Sequence, residues 1–262
     1  MSWETVKLER EGAVARLTLN RPDRRNALTF QMMREMTAAI QSIGAETRVL
    51  VLRGAGGHFS AGGDLAHMQA PPDEAGPDPV AQAYRRMGET LAALDALPQA
   101  VVAIVEGACV GGGLGMACVA DYVIARGDAK FGMPEARAGF IPSQILPFVV
   151  RRIGEGEALR LGVSARIIDG NEARRIGAVH EVAKDAAALS EAERRLLADL
   201  AYAEPEAVAE IKRLTKRLRR ASTKDVLDDA AAALSRLLAG ESASEGIAAF
   251  QEKRPPRWAS EL

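Results

Sequence analysis

Between residues 13 and 20, Ala13, Ala15, Leu17 and Leu19 alternate with Arg16 and Thr18, the two-residue period of a strand with one buried face. The NRPDRRNA loop follows, and Thr29 then stands where it can cap a helix carrying Met32, Met36, Ala39, Ile40 and Ile43 on one face, with Gly44 as its stop. The runs at 48–53 (RVLVLR), 100–105 (AVVAIV) and 121–125 (DYVIA) are too uniformly apolar for a one-sided strand and predict buried strands. Helical periodicity between them, at 80–97 and after the glycines of 111–113, predicts parallel pairing with both faces of a sheet covered. QAPPDEAGPDP at 69–79 predicts a loop that could act as a flap over a site. From Asp185 onward the pattern is helical, at 186–202, 205–220, 224–239 and 244–253. The fold class is α/β, with a core over 1–182 and a helical portion over 183–262, and no repeat of fixed period.

The stretch 100–120 is almost uninterruptedly apolar and long enough to span a bilayer. Glu106 interrupts it, and its halves differ in kind: β-branched before the glycines, small and helix-compatible after them. A buried strand entering a buried helix fits better. Gly111, Gly112 and Gly113 then need a reason, since glycine costs roughly 1 kcal/mol relative to Ala at a helical position. The usual reason is close approach of backbone to something else.

Composition narrows the functions. Of the 262 residues 48% are hydrophobic and 26% charged, ordinary for a soluble globular protein. The 34 Lys and Arg nearly balance the 35 Asp and Glu, so no overall field draws the chain to nucleic acid. The densest basic stretch, KRLTKRLRR at 212–220, lacks interleaved aromatics and reads as a solvated helix face. The two cysteines, Cys109 and Cys118, sit in the apolar run and read as buried hydrophobes, not a disulfide framework. With MSWETVKLER lacking a signal pattern, the expected location is cytoplasmic.

Several chemistries fail on spacing. Gly113 is followed by Leu114 and Gly115, not the Lys and Ser or Thr of a P-loop, and no window in 107–118 fits a Rossmann fingerprint cleanly. No G-x-S-x-G elbow occurs. His58, His67 and His180 lie far apart without ligand spacing, so no metal is expected. What remains for the glycines is recognition of an anion by backbone amides at a strand-to-helix turn, with FSAGGDL offering a second donor loop. Two such amides on one oxygen make an oxyanion hole, worth about 10²- to 10³-fold in rate per donor.

HFSAGGDL at 58–65, VEGACVGGGLGMACVAD at 105–121 and FGMPEARAGFIP at 131–142 resemble the signature segments of the crotonase superfamily, the enoyl-CoA hydratase/isomerase family. NRPDRRNAL, GVSARIIDGNEARRIGAVHEV at 162–182 and EGIAAFQEKRPPRW near the end also resemble that family, so the likeness covers nearly the whole chain. It implies a ββα spiral core and a helical C-terminal region that makes trimers or dimers of trimers. It implies an acyl-CoA thioester as substrate, with no further cofactor and no nucleic-acid or membrane partner. The oxyanion hole maps to the N–H groups of Gly63 and Gly112, and the general acid/base to Glu135. Arg24 and Arg25 map near the coenzyme A phosphates, Ala61 near the adenine, Asp64 with Gly63 and Gly112 among the substrate-binding residues, and Phe250 and Lys253 to positions that can reach a neighbouring subunit's coenzyme A.

The family's hydratases carry a second glutamate two residues after the glycine triplet, where this chain has Gly115. GFIPSQILPFVVRRIG at 139–154 and the GIAAFQEKRPPRW ending look more like the hydratases of acyclic terpenoid catabolism that act on isohexenylglutaconyl-CoA. Three readings compete: a hydratase of a branched or carboxylated enoyl thioester, an isomerase using Glu135 alone, and a non-catalytic acyl-CoA-binding protein. In the hydratase reading Glu135 works with a polar group such as Gln144, His67 or Ser143, or with a carboxylate on the substrate.

Overall fold

The computed structural model describes residues 3–68 and 77–261. Most of the expected flap, 69–76, lies outside the described residues. Strands β1 (Val6–Glu11), β2 (Val14–Leu19), β3 (Val49–Gly54), β4 (Ala100–Val105), β6 (Tyr122–Arg126) and β9 (Glu181–Ala183) form a six-stranded sheet in the order β1-β2-β3-β4-β6-β9. Only β1 and β2 pair antiparallel; the other neighbours are parallel, as the apolar runs predict. A second, three-stranded sheet, β5-β7-β8, joins β5 (Ala108–Val110), β7 (Lys130–Gly132) and β8 (Ile167–Ile168). Two or three residues per strand are too few for a periodicity to reveal, so this sheet is not legible in the sequence.

Burial of the large sheet follows from the pleat. Leu50 and Leu52 of β3 and Val101, Ala103 and Val105 of β4 face one cluster, while Val49, Val51, Val102 and Ile104 face another. The first cluster packs against α1 (Phe30–Gln41), α3 (Pro79–Ala96), α4 (Gly112–Val119) and α5 (Leu146–Ser164). The second is covered by α7 (Ala186–Ala201), through Leu189 and Ala192. On that second face Glu193 of α7 receives the guanidinium groups of Arg16 and Arg53.

The Thr29 hydroxyl accepts from the Met32 N–H, the expected cap, but α1 ends at Gln41, and Ser42 closes it by donating its N–H back to Ala38 and Ala39. Short α2 (Leu65–Met68) and α6 (Gly170–Arg175) complete the core. Helix α5 is interrupted at Gly154, whose φ of 79° explains why no single helical period runs through 146–164.

Three further helices follow α7: α8 (Pro205–Arg217), α9 (Thr223–Leu238) and α10 (Glu241–Glu252). The basic stretch at 212–220 is in part the solvated face expected of it, with Arg213, Arg217, Arg219 and Arg220 exposed, but not throughout. The Lys212 ammonium reaches the Gln99 carbonyl and Asp121, and Arg219 in the turn after α8 donates to Asp95 at 2.8 Å, so these cations tie α8 and its following turn to the core. Both cysteines are buried, and burial pushes the Cys118 thiol up to about 12. The apolar run at 100–120 divides into β4, β5 and α4, and among the described residues no helix is long and apolar enough to cross a membrane.

Candidate active site

The loop 58–64 is held on both sides by backbone. Phe59 and Ser60 donate to the Glu106 and Ala108 carbonyls at 2.8 and 2.7 Å, and Val110 donates to Ser60 at 3.1 Å. On the other side Ala61 donates to Arg25, and Leu28 exchanges bonds with the loop through Gly62 and Asp64, at 2.7 and 2.9 Å. The pairing uses the Gly62 carbonyl and the Asp64 N–H, the Gly62 N–H donates to the Ser60 hydroxyl at 3.2 Å, and Gly63's own N–H is left without an acceptor among the described residues. The Gly112 N–H opens α4 and is unpaired for the ordinary reason that the first turn has no preceding carbonyl to donate to.

Each glycine of the triplet answers a different constraint. Gly111 has φ 52°, and a Cβ there would stand 2.8 Å from Glu135 Oε1. A Cβ at Gly112 would run into Leu28 Cδ1. At Gly113 it would lie 2.9 Å from the Ser60 carbonyl oxygen. Packing alone therefore accounts for Gly113, while Gly111 brings a carboxylate against the backbone next to a free N–H.

Glu135 sits on the 3-10 turn Pro134–Ala138. Its Oε2 is buried without a hydrogen-bond partner among the described residues. Burial raises its pKa above the usual carboxylate range, against a smaller opposing effect of its own backbone N–H. Asp64, at the same cavity, has the opposite balance. Burial pushes its pKa up, but hydrogen bonds from Arg21, at 3.0 Å, and from His67 outweigh that and hold it below its ordinary value.

A cavity of about 480 Å³ gathers these groups. Of the residues singled out in the sequence, Ala61, Gly63, Asp64, His67, Gly112, Glu135, Ser143 and Gln144 line it. Arg24, Arg25, Phe250 and Lys253 do not: the two arginines are exposed on the loop before α1, and Phe250 is 86% exposed on α10. Sequence reasoning missed the apolar wall, where Phe30 and Tyr84 meet edge to face at 5.7 Å between centroids, with Met87, Phe140 and Ile145 nearby. It also missed Asn26, fully buried, whose amide donates to the Ala55 and His58 carbonyls at 2.9 and 2.7 Å and accepts from Arg21 N–H. Its φ of 55° inside NRPDRRNA is the kind of position Asn tolerates, the one signal that could have marked it.

Gly115 is buried in α4, and a Cβ there would lie 2.8 Å from Ile145 Cβ and nearer still to its methyl. A side chain at 115, where the resemblance would put a second glutamate, would have to displace Ile145. Among the described residues no group of three or more His, Cys, Asp or Glu gathers that could hold a metal ion.

Two amide donors beside a buried carboxylate at an apolar cavity can stabilise an enolate formed from a thioester. The family model for enoyl-CoA hydratase/isomerase matches residues 9–261, and the chain belongs to this family, within the crotonase superfamily. It is 32% identical to the enoyl-CoA hydratase ACTT6 of Alternaria alternata, over 93% of this chain and 80% of that protein. Among solved structures it resembles an enoyl-CoA hydratase/isomerase from Marinobacter aquaeolei, with 41% identity, TM-score 0.93, and 97% and 99% of the two chains covered. It also resembles AtuE of Pseudomonas aeruginosa, with 44% identity, TM-score 0.94, and 98% and 100% covered.

Two predictions follow from this geometry. Because the Ser60 backbone cannot retreat, Gly113→Ala lowers stability by about 1–3 kcal/mol despite alanine's better helix propensity, as read by denaturant unfolding. Because burial raises the Glu135 pKa, the folded state binds more protons than the unfolded one as pH rises from the unfolded to the folded pKa, and stability is lost across that window. Glu135→Gln therefore melts above the wild type at alkaline pH, and the gap closes below about pH 4, where the carboxyl is protonated in both states. Parallel melting curves at every pH contradict this.

Proposed function

We propose that the chain hydrates a 2-enoyl-CoA thioester with a branched or carboxylated acyl group. The observation that carries this is the buried Glu135 carboxylate, its Oε2 unpartnered among the described residues, at a cavity lined also by Gly63 and Gly112 with their free N–H groups. In this reading the thioester oxygen accepts from both amides. Water adds through its oxygen to the β-carbon, giving a proton to the Glu135 carboxylate, while the double-bond electrons move onto the thioester oxygen as an enolate. The enolate collapses by taking a proton from Glu135 at the α-carbon, so the carboxylate is regenerated and the sum is one added water. A carboxyl whose pKa is raised by burial suits a group that must both accept and return a proton near neutral pH.

Arg137 lines the cavity without an ion-pair partner among the described residues, which suits a carboxylate on the acyl chain. In the same reading Arg24 and Arg25 meet the coenzyme A phosphates, the Ala61 backbone lies near the adenine, and Phe250 and Lys253 reach a neighbouring subunit's thioester. Exposed Leu227, Leu234, Leu238, Ile247 and Phe250 give the region 183–262 an apolar surface for a trimer or dimer of trimers.

One observation favours a second reading. With Ile145 on Gly115 and Asp64 tied to Arg21, Glu135 is the one unpaired carboxylate at the cavity among the described residues, and a double-bond isomerase needs only one. Ultraviolet absorbance of the conjugated enoyl thioester separates the two. The expected result is falling absorbance with a 2-enoyl-CoA, slowed about 10²- to 10⁴-fold in Glu135→Gln with little change in KM. Rising absorbance with a 3-enoyl-CoA alone makes the chain an isomerase. Sedimentation is expected to give three or six chains per particle, and a monomer overturns the assembly.

A further inference from the structure

Two consecutive residues, Gln144 and Ile145, are each seated on a glycine inside a helix. Ile145 covers Gly115 of α4. Gln144 covers Gly88 of α3: a Cβ at 88 would lie 3.3 Å from Gln144 Cδ and well inside contact with Oε1. Glycine in a helix interior is about 1 kcal/mol less favourable than alanine, and Gly88 stands in the middle of an 18-residue helix. The space it frees is occupied by the Gln144 amide, which lines the cavity with no hydrogen-bond partner among the described residues. The segment after Glu135 thus covers Gly115 with an apolar side chain and Gly88 with an amide.

We propose that Gln144 holds the water that adds to the thioester, and that Gly88 is the positioning residue that seats it. This rests on the hydratase reading. The other polar groups are placed worse. His67 has a side chain 55% exposed and is engaged with Asp64, and Ser143 is exposed at the turn its N–H makes to Ile141. An amide both donates and accepts, so it can hold a water without putting a second negative charge beside Glu135. Gln144 exchanges no proton: the water's proton leaves to Glu135, its oxygen bonds the β-carbon, and the α-carbon takes its proton from Glu135.

The seat allows a test that leaves the amide itself in place. In Gly88→Ala the new methyl meets the far end of a flexible side chain, so the amide swings away while the helix gains a better former. Hydration kcat is expected to fall about 10- to 100-fold, with KM for the thioester little changed and a melting temperature no lower than wild type. Gln144→Leu falls similarly, and the double variant falls no further than Gln144→Leu alone. Exchange of an α-proton of a saturated acyl-CoA with D₂O needs Glu135 and the two amides but no added water, and it persists in all three variants while Glu135→Gln abolishes it. Hydration at the wild-type rate in Gln144→Leu overturns the assignment and leaves the hydratase reading intact. So does loss of exchange together with hydration, or losses that multiply in the double variant. A wild-type chain that exchanges α-protons and never hydrates overturns the hydratase reading, and this assignment with it.

Discussion

The site depends on a contact between two stretches of backbone. A Cβ at Gly62 would stand 3.0 Å from the Val110 carbonyl oxygen, and one at Gly111 would stand 3.5 Å from Gly62 Cα. Both residues have positive φ, 86° and 52°, so substitution there meets backbone strain as well as crowding. Side-chain interactions can be re-formed by repacking, but a backbone-on-backbone contact has no rotamers with which to adjust. The approach brings the loop after β3 against the start of α4, so that the free N–H groups of Gly63 and Gly112 border one cavity.

The rest of the fold holds those two stretches rigidly. Strands β3 and β4 lead into them, and their alternate residues are buried on opposite faces, so neither can rotate without exposing an apolar row. The loop between α1 and β2 is fixed by polar groups instead. Asn26, buried at 0% exposure, ties three backbone positions, and the Ser60 hydroxyl donates to its carbonyl at 2.8 Å. Buried polar groups satisfied this completely specify one arrangement, because any alternative leaves several of them unpaired at once. Glu135 Oε2 is the contrast: a buried oxygen left unpaired where the thioester chemistry would use it.

How much of this is legible in the sequence depends on how local each feature is. The strand at 100–105 and the Thr29 cap follow from a handful of neighbouring residues, and they appear as expected. The three-stranded sheet does not, because β5, β7 and β8 are made by pairing across dozens of residues and none carries a pattern of its own. Lys212 looks like any surface lysine until α8 folds it onto Asp121. Most of the candidate site is legible because its residues sit in three quotable motifs, whereas Phe30, Tyr84 and Met87 belong to ordinary amphipathic helices whose cavity-facing side depends on how they dock. Gly88 is a signal in its own right, a glycine in the middle of a helical pattern, but its meaning lies in Gln144, on a distant segment of the chain.

Gly115 and Ile145 are better understood together than as a missing residue. A glutamate at 115 could not be restored alone, because its Cβ would collide with the Ile145 side chain. Gly115 and Ile145 of the 139–154 segment therefore constrain each other, and Ile145 keeps an apolar wall on the cavity beside α4. A second carboxylate beside Glu135 would raise the pKa of one of the pair by like-charge repulsion; without it, the upward shift at Glu135 comes from burial. A single carboxylate that titrates on its own is a simpler proton shuttle than a coupled pair, whose two protons belong to the pair jointly. Ile145, a residue with no ionisable group, thus occupies the space beside Gly115 and leaves burial as the leading cause of the Glu135 shift.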